Sequence, residues 1–353
     1  MASVREHMTQ HDDPDELPLL TESARVTDVT ALDENRSVEV RRAAARILDE
    51  LGRGDLVDET DDPPDDEDPP AVDWDGVTAL LDGGDGGPIE ERLSSLAERY
   101  HRAYPSLLSI ALHESEEPID FLPGQYVTVR FHETPRPYSV ASSPTQSDLE
   151  FCVRRVPGGR LTSDLFEDLD TGDEVTVRGP NGEFVLGDPS SRDLAFMATG
   201  TGVAPLRSMI RYAFEEGLDV HDGEPRDVWL FLGCSWRDDL PYRDEFRRLG
   251  DEHDNFHFVP TLSREGYLTD WCGETAYVQE TFVKYLADDV AADLAGDLAT
   301  FRDESPATDV EARIDPGSLE VYACGVSAMV ETLVDVVTAV GVPERRVEAE
   351  GYG

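Results

Sequence analysis

Two kinds of apolar spacing meet near residue 190, and that change constrains the fold more than any other feature of the chain. From Ser106 short runs alternate apolar and polar residues between turns: SLLSIALH (106–113), YVTVRF (126–131), YSVAS (138–142), LEFCVRRV (149–156), EVTVRG (174–179) and EFVLG (183–187). Strands buried on one face have this period of two, and so many in so short a stretch predict a small antiparallel β-barrel. From Asp193 the pattern becomes LAFMAT, DVWLFLG, HFVPTL and LEVYACG, each followed by a helix-like segment starting near Pro205, Pro241, Tyr277 or Ser327. Repeated βα units of this kind predict a parallel, doubly wound sheet. The expected fold class is α+β in two domains, a six-stranded antiparallel barrel over 106–190 and a Rossmann-like α/β sheet over 191–353.

The first hundred residues follow neither pattern. Residues 1–20 are acidic, contain proline and lack apolar period, which predicts a disordered tail. Residues 21–105 hold one alternating run, Ala24 to Leu32, as a possible first barrel strand, then helical spacing over Ser37 to Leu51. Glu59 to Pro70 (ETDDPPDDEDPP) predicts an acidic linker, because four prolines and a block of like charge cannot fold alone. A turn of helix at Trp74 to Leu81 and a longer helix from Pro88 to about Tyr104 complete a helical insertion, with proline well placed in a first turn.

Charge decides which partners are plausible. The 353 residues carry 76 acidic and 30 basic side chains, a formal net charge of -46, and the only lysine is Lys284. An imbalance spread over the whole surface suits a halophile's molar salt, where the screening length is about 3 Å; an acidic mesophilic protein is the alternative. The field opposes nucleic acid and anionic membranes, and no run of about 18 uncharged apolar residues predicts a membrane span, so a cytoplasmic location is expected. Cys152, Cys234, Cys272 and Cys324 lack paired C-x-x-C spacing, so no metal site is expected and any redox cofactor must be organic.

Two stretches carry chemistry. Met197 to Pro205 (MATGTGVAP) joins an apolar strand to a helix through Thr199, Gly200, Thr201 and Gly202, leaving bare backbone N–H groups where a pyrophosphate could sit. The ending Ala204-Pro205 departs from the common G-x-G-x-x-G, and a structural turn is the alternative. A short-chain dehydrogenase is excluded, because position 280, four residues before Lys284, is Glu; a P-loop fails because no Gly-Lys follows the glycines. Arg136-Pro137-Tyr138-Ser139 offers a permanent cation, a flat ring and a hydroxyl. Those groups can fork onto a flavin dinucleotide's diphosphate, stack on its ring and hydrogen-bond a ring nitrogen.

The ordered set PGQY, R-P-Y-S, G-G-x-x-T, G-T-G-x-A-P and C-G over residues 106–353 resembles the ferredoxin-NADP(+) reductase superfamily. The resemblance implies FAD in the barrel and NAD(P)H on the sheet. It places Arg136, Tyr138 and Ser139 on the flavin, with Cys152, Val153 and Arg154 beside the adenosine diphosphate and Gly159, Leu161 and Thr162 clamping the pyrophosphate. On the nucleotide side it implies roles for the Gly200–Gly202 loop and for Cys324 and Gly325 where nicotinamide meets flavin, although Val326 replaces the usual proline. Ser263, Arg264 and Tyr277 resemble a set that reads the extra phosphate of NADP and tip the expectation that way, although Thr275 stands where a second arginine is usual. Ser235 and Arg237 follow the next strand, with Arg237 a second candidate cation. Glu350 and Tyr352 resemble a terminal Glu-x-aromatic, so Cys324, Glu350, Ser139 and Tyr352 form the implied catalytic set. The implied activity passes hydride from NAD(P)H to flavin and electrons to ferredoxin, a dioxygenase-type or quinone-like acceptor. A flavin reductase or oxidase with a diffusible acceptor and a non-catalytic flavin-fold binding module remain open.

Overall fold

A computed structural model describes residues 5–6, 20–58, 70–84, 86–114, 118–290, 294 and 296–352. Of the expected tail only 5–6 and 20 are described; residues 59–69 of the expected linker lie outside the described residues, as does Gly353. Two compact units result, one from 1–32, 107–263 and 273–353, the other from 33–106 and 264–272. Among the described residues no helix is long and apolar enough to cross a membrane.

In chain order the strands and helices are β1 (Arg5–Glu6), β2 (Leu20–Ala31), α1 (Ser37–Glu50), α2 (Trp74–Asp82), α3 (Pro88–His101), β3 (Leu107–Glu114), β4 (Tyr126–Phe131) and β5 (Thr134–Ser139). There follow β6 (Leu149–Arg154), α4 (Arg160–Glu167), β7 (Glu174–Asn181), β8 (Asp193–Thr199), α5 (Val203–Glu215), β9 (Val220–His221), β10 (Glu224–Pro225) and β11 (Val228–Cys234). The chain closes with α6 (Arg243–Glu252), β12 (Phe256–Leu262), α7 (Val278–Lys284), α8 (Asp297–Arg302), β13 (Leu319–Val326), α9 (Ser327–Ala339) and β14 (Val347–Tyr352).

The nearly closed antiparallel barrel has the order β5-β4-β7-β2-β3-β6. Alternation points Val127, Val129, Val175 and Val177 inward with Phe151 and Val153, and α4 adds Leu161 and Leu165 to the same core. Each such side chain contributes about 1.5–3 kcal/mol by leaving water. Two expectations need correction. EFVLG (183–187) is not a strand: Gly182 turns the chain with φ 95°, and Leu186 N–H bonds the Pro123 carbonyl outside any ladder. The sixth strand is instead β2, which contains the alternating run expected from Ala24 and pairs with β7 and, across a bulge at Val26/Asp28, with β3. YSVAS ends as a strand at Ser139, because the next amides change partner: Val140 N–H bonds Gln125 O, and Ala141 N–H bonds Glu150 O at the start of β6.

The second sheet is parallel, with the order β1-β14-β13-β8-β11-β12. Its strands are nearly continuous apolar runs, as sheets covered on both faces require. Val278, Phe282, Leu333 and Val337 of α7 and α9 pack on Met197, Phe231 and Val321, while α5 contacts β8 and β13 and α6 contacts β12. Chain order reverses between β8 and β13, the place where an open α/β sheet leaves a crevice beyond its carboxyl ends. Lys284 is buried between Glu274 (3.2 Å) and Glu304 (2.7 Å), so the single lysine is a structural ion pair.

In the smaller unit α1 presents Val40, Ala43, Ala44, Ile47 and Leu48, an i, i+3, i+4, i+7, i+8 stripe, and α3 buries Leu93, Leu96 and Ala97. Trp74 stacks on Tyr100 with centroids 4.4 Å apart. Arg36 and Glu265, 1 % and 0 % exposed at their side chains, form an ion pair in which Nη1 reaches both carboxylate oxygens at 2.8 and 2.9 Å.

Candidate functional site

β5 and β6 are the end strands of the barrel sheet, and the gap between them opens on a cavity of about 530 Å³. β5 contributes Arg136, Pro137, Tyr138 and Ser139, and β6 contributes Cys152 and Arg154. Unpaired strand edges supply backbone donors and acceptors that a ligand can use. Tyr138 packs edge-on to Phe151 of the barrel core, centroids 6.3 Å apart, and burial pushes its phenol up to about 12. The ring is therefore a fixed, neutral plane.

Gly159 to Thr162 of the wall form the start of α4, whose first amides lack intrahelical partners. Thr162 is not free to turn toward a ligand: its hydroxyl accepts from Val156 N–H at 3.2 Å and lies 3.2 Å from the Gly159 carbonyl. It shapes the turn, and Arg160 beside it is exposed.

The opposite wall comes from the parallel sheet. After β8 a tight turn, Gly200–Gly202, leads into α5, with Gly200 at φ 51°. A Cβ on Gly202 would stand 2.3 Å from the Cys324 carbonyl oxygen, and one on Gly325 would stand 2.5 Å from Thr199 Oγ1. The turn after β8 and the end of strand β13 therefore touch backbone to backbone, which only glycine permits. Tyr352 on β14 closes the corner, its hydroxyl 3.2 Å from Thr201 Oγ1 and donating to the Thr199 carbonyl at 3.2 Å. Burial pushes the Tyr352 phenol upward. Cys324 is 1 % exposed, and burial, then the neighbouring Glu350, pushes its thiol well up, so it is a neutral thiol at the cavity wall.

Most residues singled out from the sequence meet here. Arg136, Pro137, Tyr138, Ser139, Cys152 and Arg154 line the cavity with Gly159, Leu161, Thr162, Thr201, Gly202, Pro205, Cys324 and Tyr352. Others stand behind the wall: Val153 is in the barrel core, Thr199, Gly200 and Gly325 shape the loops, and Glu350 is buried opposite Cys324 in the ladder. Ser235, Arg237, Ser263 and the exposed Tyr277 lie beyond the carboxyl ends of β11 and β12, away from the cavity lining. Arg264 belongs to the helical unit and pairs with Glu98 at 3.1 Å. Val156, Arg160 and Ala204 also line the cavity and were missed as individual residues. Ala204, between the glycine turn and Pro205, had a signal; the isolated Val156 had none.

The wall's charge is opposite to that of the chain. Arg136, Arg154 and Arg160 line it, and among the described residues no carboxylate does. Arg154 pairs with Asp239 at 3.2 Å, but no carboxylate pairs with Arg136 or Arg160 among the described residues. Arg136 donates to the Pro135 carbonyl at 2.7 Å. Two cations without counter-ions beside an apolar wall fit a dinucleotide's diphosphate and flat ring. On the sheet side Thr199 Oγ1 is buried with no hydrogen-bond partner among the described residues, beside the bare Cα of Gly325. Buried hydroxyls are normally satisfied, so a ligand's polar group fits there too. Exposed His132, half-buried Asp164 and exposed Asp168 each bring one ligand atom within 4.8 Å of the others. They stand apart from the cavity, on a surface that supplies carboxylates in number.

Comparison with known proteins agrees with both walls. Residues 105–186 match the family model described as "Oxidoreductase FAD-binding domain", and residues 196–335 match "Oxidoreductase NAD-binding domain". The "Phenol hydroxylase P5 protein" of Acinetobacter pittii is 32 % identical over 184 residues, 51 % of this chain and 50 % of that protein. "Ferredoxin--NADP reductase B" of Sorangium cellulosum is 32 % identical over 222 residues, 62 % of this chain and 79 % of the relative. The crystal structure of Amycolatopsis "cytochrome P450 reductase GcoB" superposes with a TM-score of 0.56 at 28 % identity, covering 70 % of this chain and 66 % of the other. The chain spans about half the length of the first of these relatives.

Proposed function

The chain belongs to the ferredoxin--NADP reductase family, and from that premise we propose that it binds FAD and NAD(P)H and passes their electrons to a separate redox protein of the ferredoxin kind. The carrying observation is the arginine-lined, carboxylate-free cavity in a chain of net charge -46.

Bound FAD supplies the ring that accepts hydride from the nicotinamide and gives electrons to the acceptor. The chain's residues hold and shield that ring. Arg136 meets the diphosphate, with the first amides of α4 and Arg160 beside it. Arg154, flanked by Cys152 and Val153, serves the adenosine side, where Gly159, Leu161 and Thr162 keep the turn rigid. Tyr138 and Tyr352, both lining the cavity, would hold the flavin ring between them, with Tyr352 on the side where nicotinamide would approach. Ser139 offers its hydroxyl to a ring nitrogen. Cys324 packs as a neutral thiol against the transferring atoms, and Glu350 sets the local field from behind it.

The turn Thr199 to Gly202, with Pro205 and Gly325, receives the nucleotide's diphosphate and carboxamide. Ser235, Arg237, Ser263 and Tyr277 take its ribose end. NADP is the favoured nucleotide, although Arg264, its expected phosphate partner, shares its charge with Glu98 at 3.1 Å. The surface charge favours a cytoplasm of high salt, where screening over about 3 Å lets two acidic proteins approach.

Anaerobic titration in molar KCl tests the reading. One bound flavin per chain, bleached by NADPH or NADH and reoxidised by a ferredoxin, is the expected result. Rapid oxygen consumption without added acceptor would support a flavin oxidase, and a colourless protein a binding module.

A further inference from the structure

Arg207 lies on α5 one turn beyond Ala204 and is 3 % exposed. Its Nε and Nη2 fork onto the Glu245 carboxylate of α6 at 2.8 to 3.0 Å. Nη1 donates to the Ala141 carbonyl at 2.8 Å and to the Glu150 carboxylate. The guanidinium covers the Tyr242 ring, 4.2 Å from its centroid, and Tyr242 holds a left-handed φ of 56° just before α6. One side chain thus ties four segments together. Ala141 and Glu150 belong to the barrel, whereas α5 and α6 flank the parallel sheet.

A guanidinium held this way is orienting hardware. Burying it is costly unless its donors are met, and here two carboxylates and a carbonyl meet them in fixed directions. The same seam holds the apolar cluster Leu107, Ala141, Cys152 and Ala204, of which Cys152 and Ala204 reach the cavity wall. The network therefore fixes the two cavity walls within one helical turn, or two strand residues, of the positions where they face each other. Hydride donor and acceptor must approach to about 3–3.5 Å, and about 1 Å of misplacement costs on the order of 100-fold in rate.

We infer that Arg207 is a positioning residue for hydride transfer, locking the start of α5 to β6 so that nicotinamide and flavin keep one separation. This rests on the flavin and nicotinamide reading above. Arg207 is not among the residues that line the cavity, so each cofactor is expected to bind without the lock.

The test uses the FAD-loaded full chain. Arg207→Met is expected to keep FAD and nucleotide affinities within about 3-fold while the anaerobic rate of flavin reduction at saturating nucleotide falls by about 30- to 100-fold. A second readout needs no cofactor: deuterium uptake over residues 140–152 should rise in Arg207→Met while β4 and β7 keep wild-type protection. Wild-type reduction rate, or unchanged exchange in a folded variant, overturns the inference, as does a loss of FAD affinity equal to the loss of rate. If Arg207→Met does not fold, Glu150→Gln, which keeps the Glu245 fork, decides: a rate lowered by about 10-fold supports the lock, and a wild-type rate refutes it. Should the wild-type protein take up no FAD or resist both nucleotides, the functional reading fails, and the exchange experiment alone judges the lock.

Discussion

Arginines of the interior and two of the three arginines of the cavity are treated in opposite ways; the third, Arg154, pairs with Asp239. Arg36 and Arg207 are 1 % and 3 % exposed, and each is paired with a carboxylate, Glu265 and Glu245. Arg136 and Arg160 line the cavity, and no carboxylate pairs with them among the described residues. With 76 acidic side chains in the chain, counter-ions are not scarce. Keeping them away from one wall reserves that wall for an anion brought by a ligand, whereas the neutralised arginines hold the protein's own parts together.

The comparison breaks if both kinds of arginine behave alike on removal. Arg36→Met takes the guanidinium away from the buried Glu265 carboxylate, leaving its charge uncompensated by that cation although Thr269 Oγ1 still donates at 3.0 Å, and is expected to cost about 3–5 kcal/mol, measured by denaturant unfolding in molar salt. Arg136→Ala removes a cation that pairs with no carboxylate among the described residues and donates only to the neighbouring Pro135 carbonyl, so its stability should stay within about 0.5 kcal/mol of wild type. Equal losses in the two variants would mean that the cavity arginine is structural.

A smaller effect sharpens the account of the opposite wall. Gly202→Ala forces a methyl group onto the Cys324 carbonyl and is expected to cost about 1–3 kcal/mol and to weaken NAD(P)H binding more than FAD binding. Gly200→Ala meets no atom within 4 Å but takes a left-handed φ of 51°, so it should cost about 1 kcal/mol with less effect on nucleotide affinity. Isothermal titration of both variants with nucleotide distinguishes steric approach from turn strain.

The smallest effect belongs to an exposed pair. His113 Nδ1 donates to the Asp148 carboxylate at 2.9 Å, and that hydrogen bond holds the imidazole above its ordinary value. Because the folded value is raised, the pair stabilises fully below about pH 6.5 and is lost as pH climbs through the folded value. Thermal unfolding at pH 6 and pH 8.5 should show a slight decline that Asp148→Asn removes.

How much of this was readable in advance depended on how local the signal was. The barrel and the βα alternation were legible because period-two and buried-strand patterns lie within single runs. EFVLG misled because Phe184 is buried without belonging to a ladder, and β2 was ambiguous because its partner β3 lies beyond the helical insertion. Arg136 to Ser139 and Gly200 to Gly202 were legible as compact constellations whose chemistry needs adjacent residues. The pairings of Arg207 and of Arg264, the latter named from the sequence only as a phosphate reader, gave no such signal, since their partners Glu150 and Glu98 stand 57 and 166 positions away. Only the fold shows that one is a lock and the other is already paired.

The most direct measurement is a two-by-two comparison of FAD and riboflavin binding to cofactor-free wild-type and Arg136→Ala protein in molar KCl. A fork onto the diphosphate predicts that the substitution weakens FAD by about 30-fold, roughly 2 kcal/mol, and leaves riboflavin nearly unchanged. Equal binding of the two flavins to wild type, or equal weakening of both by the substitution, would contradict the assignment of this wall to a dinucleotide.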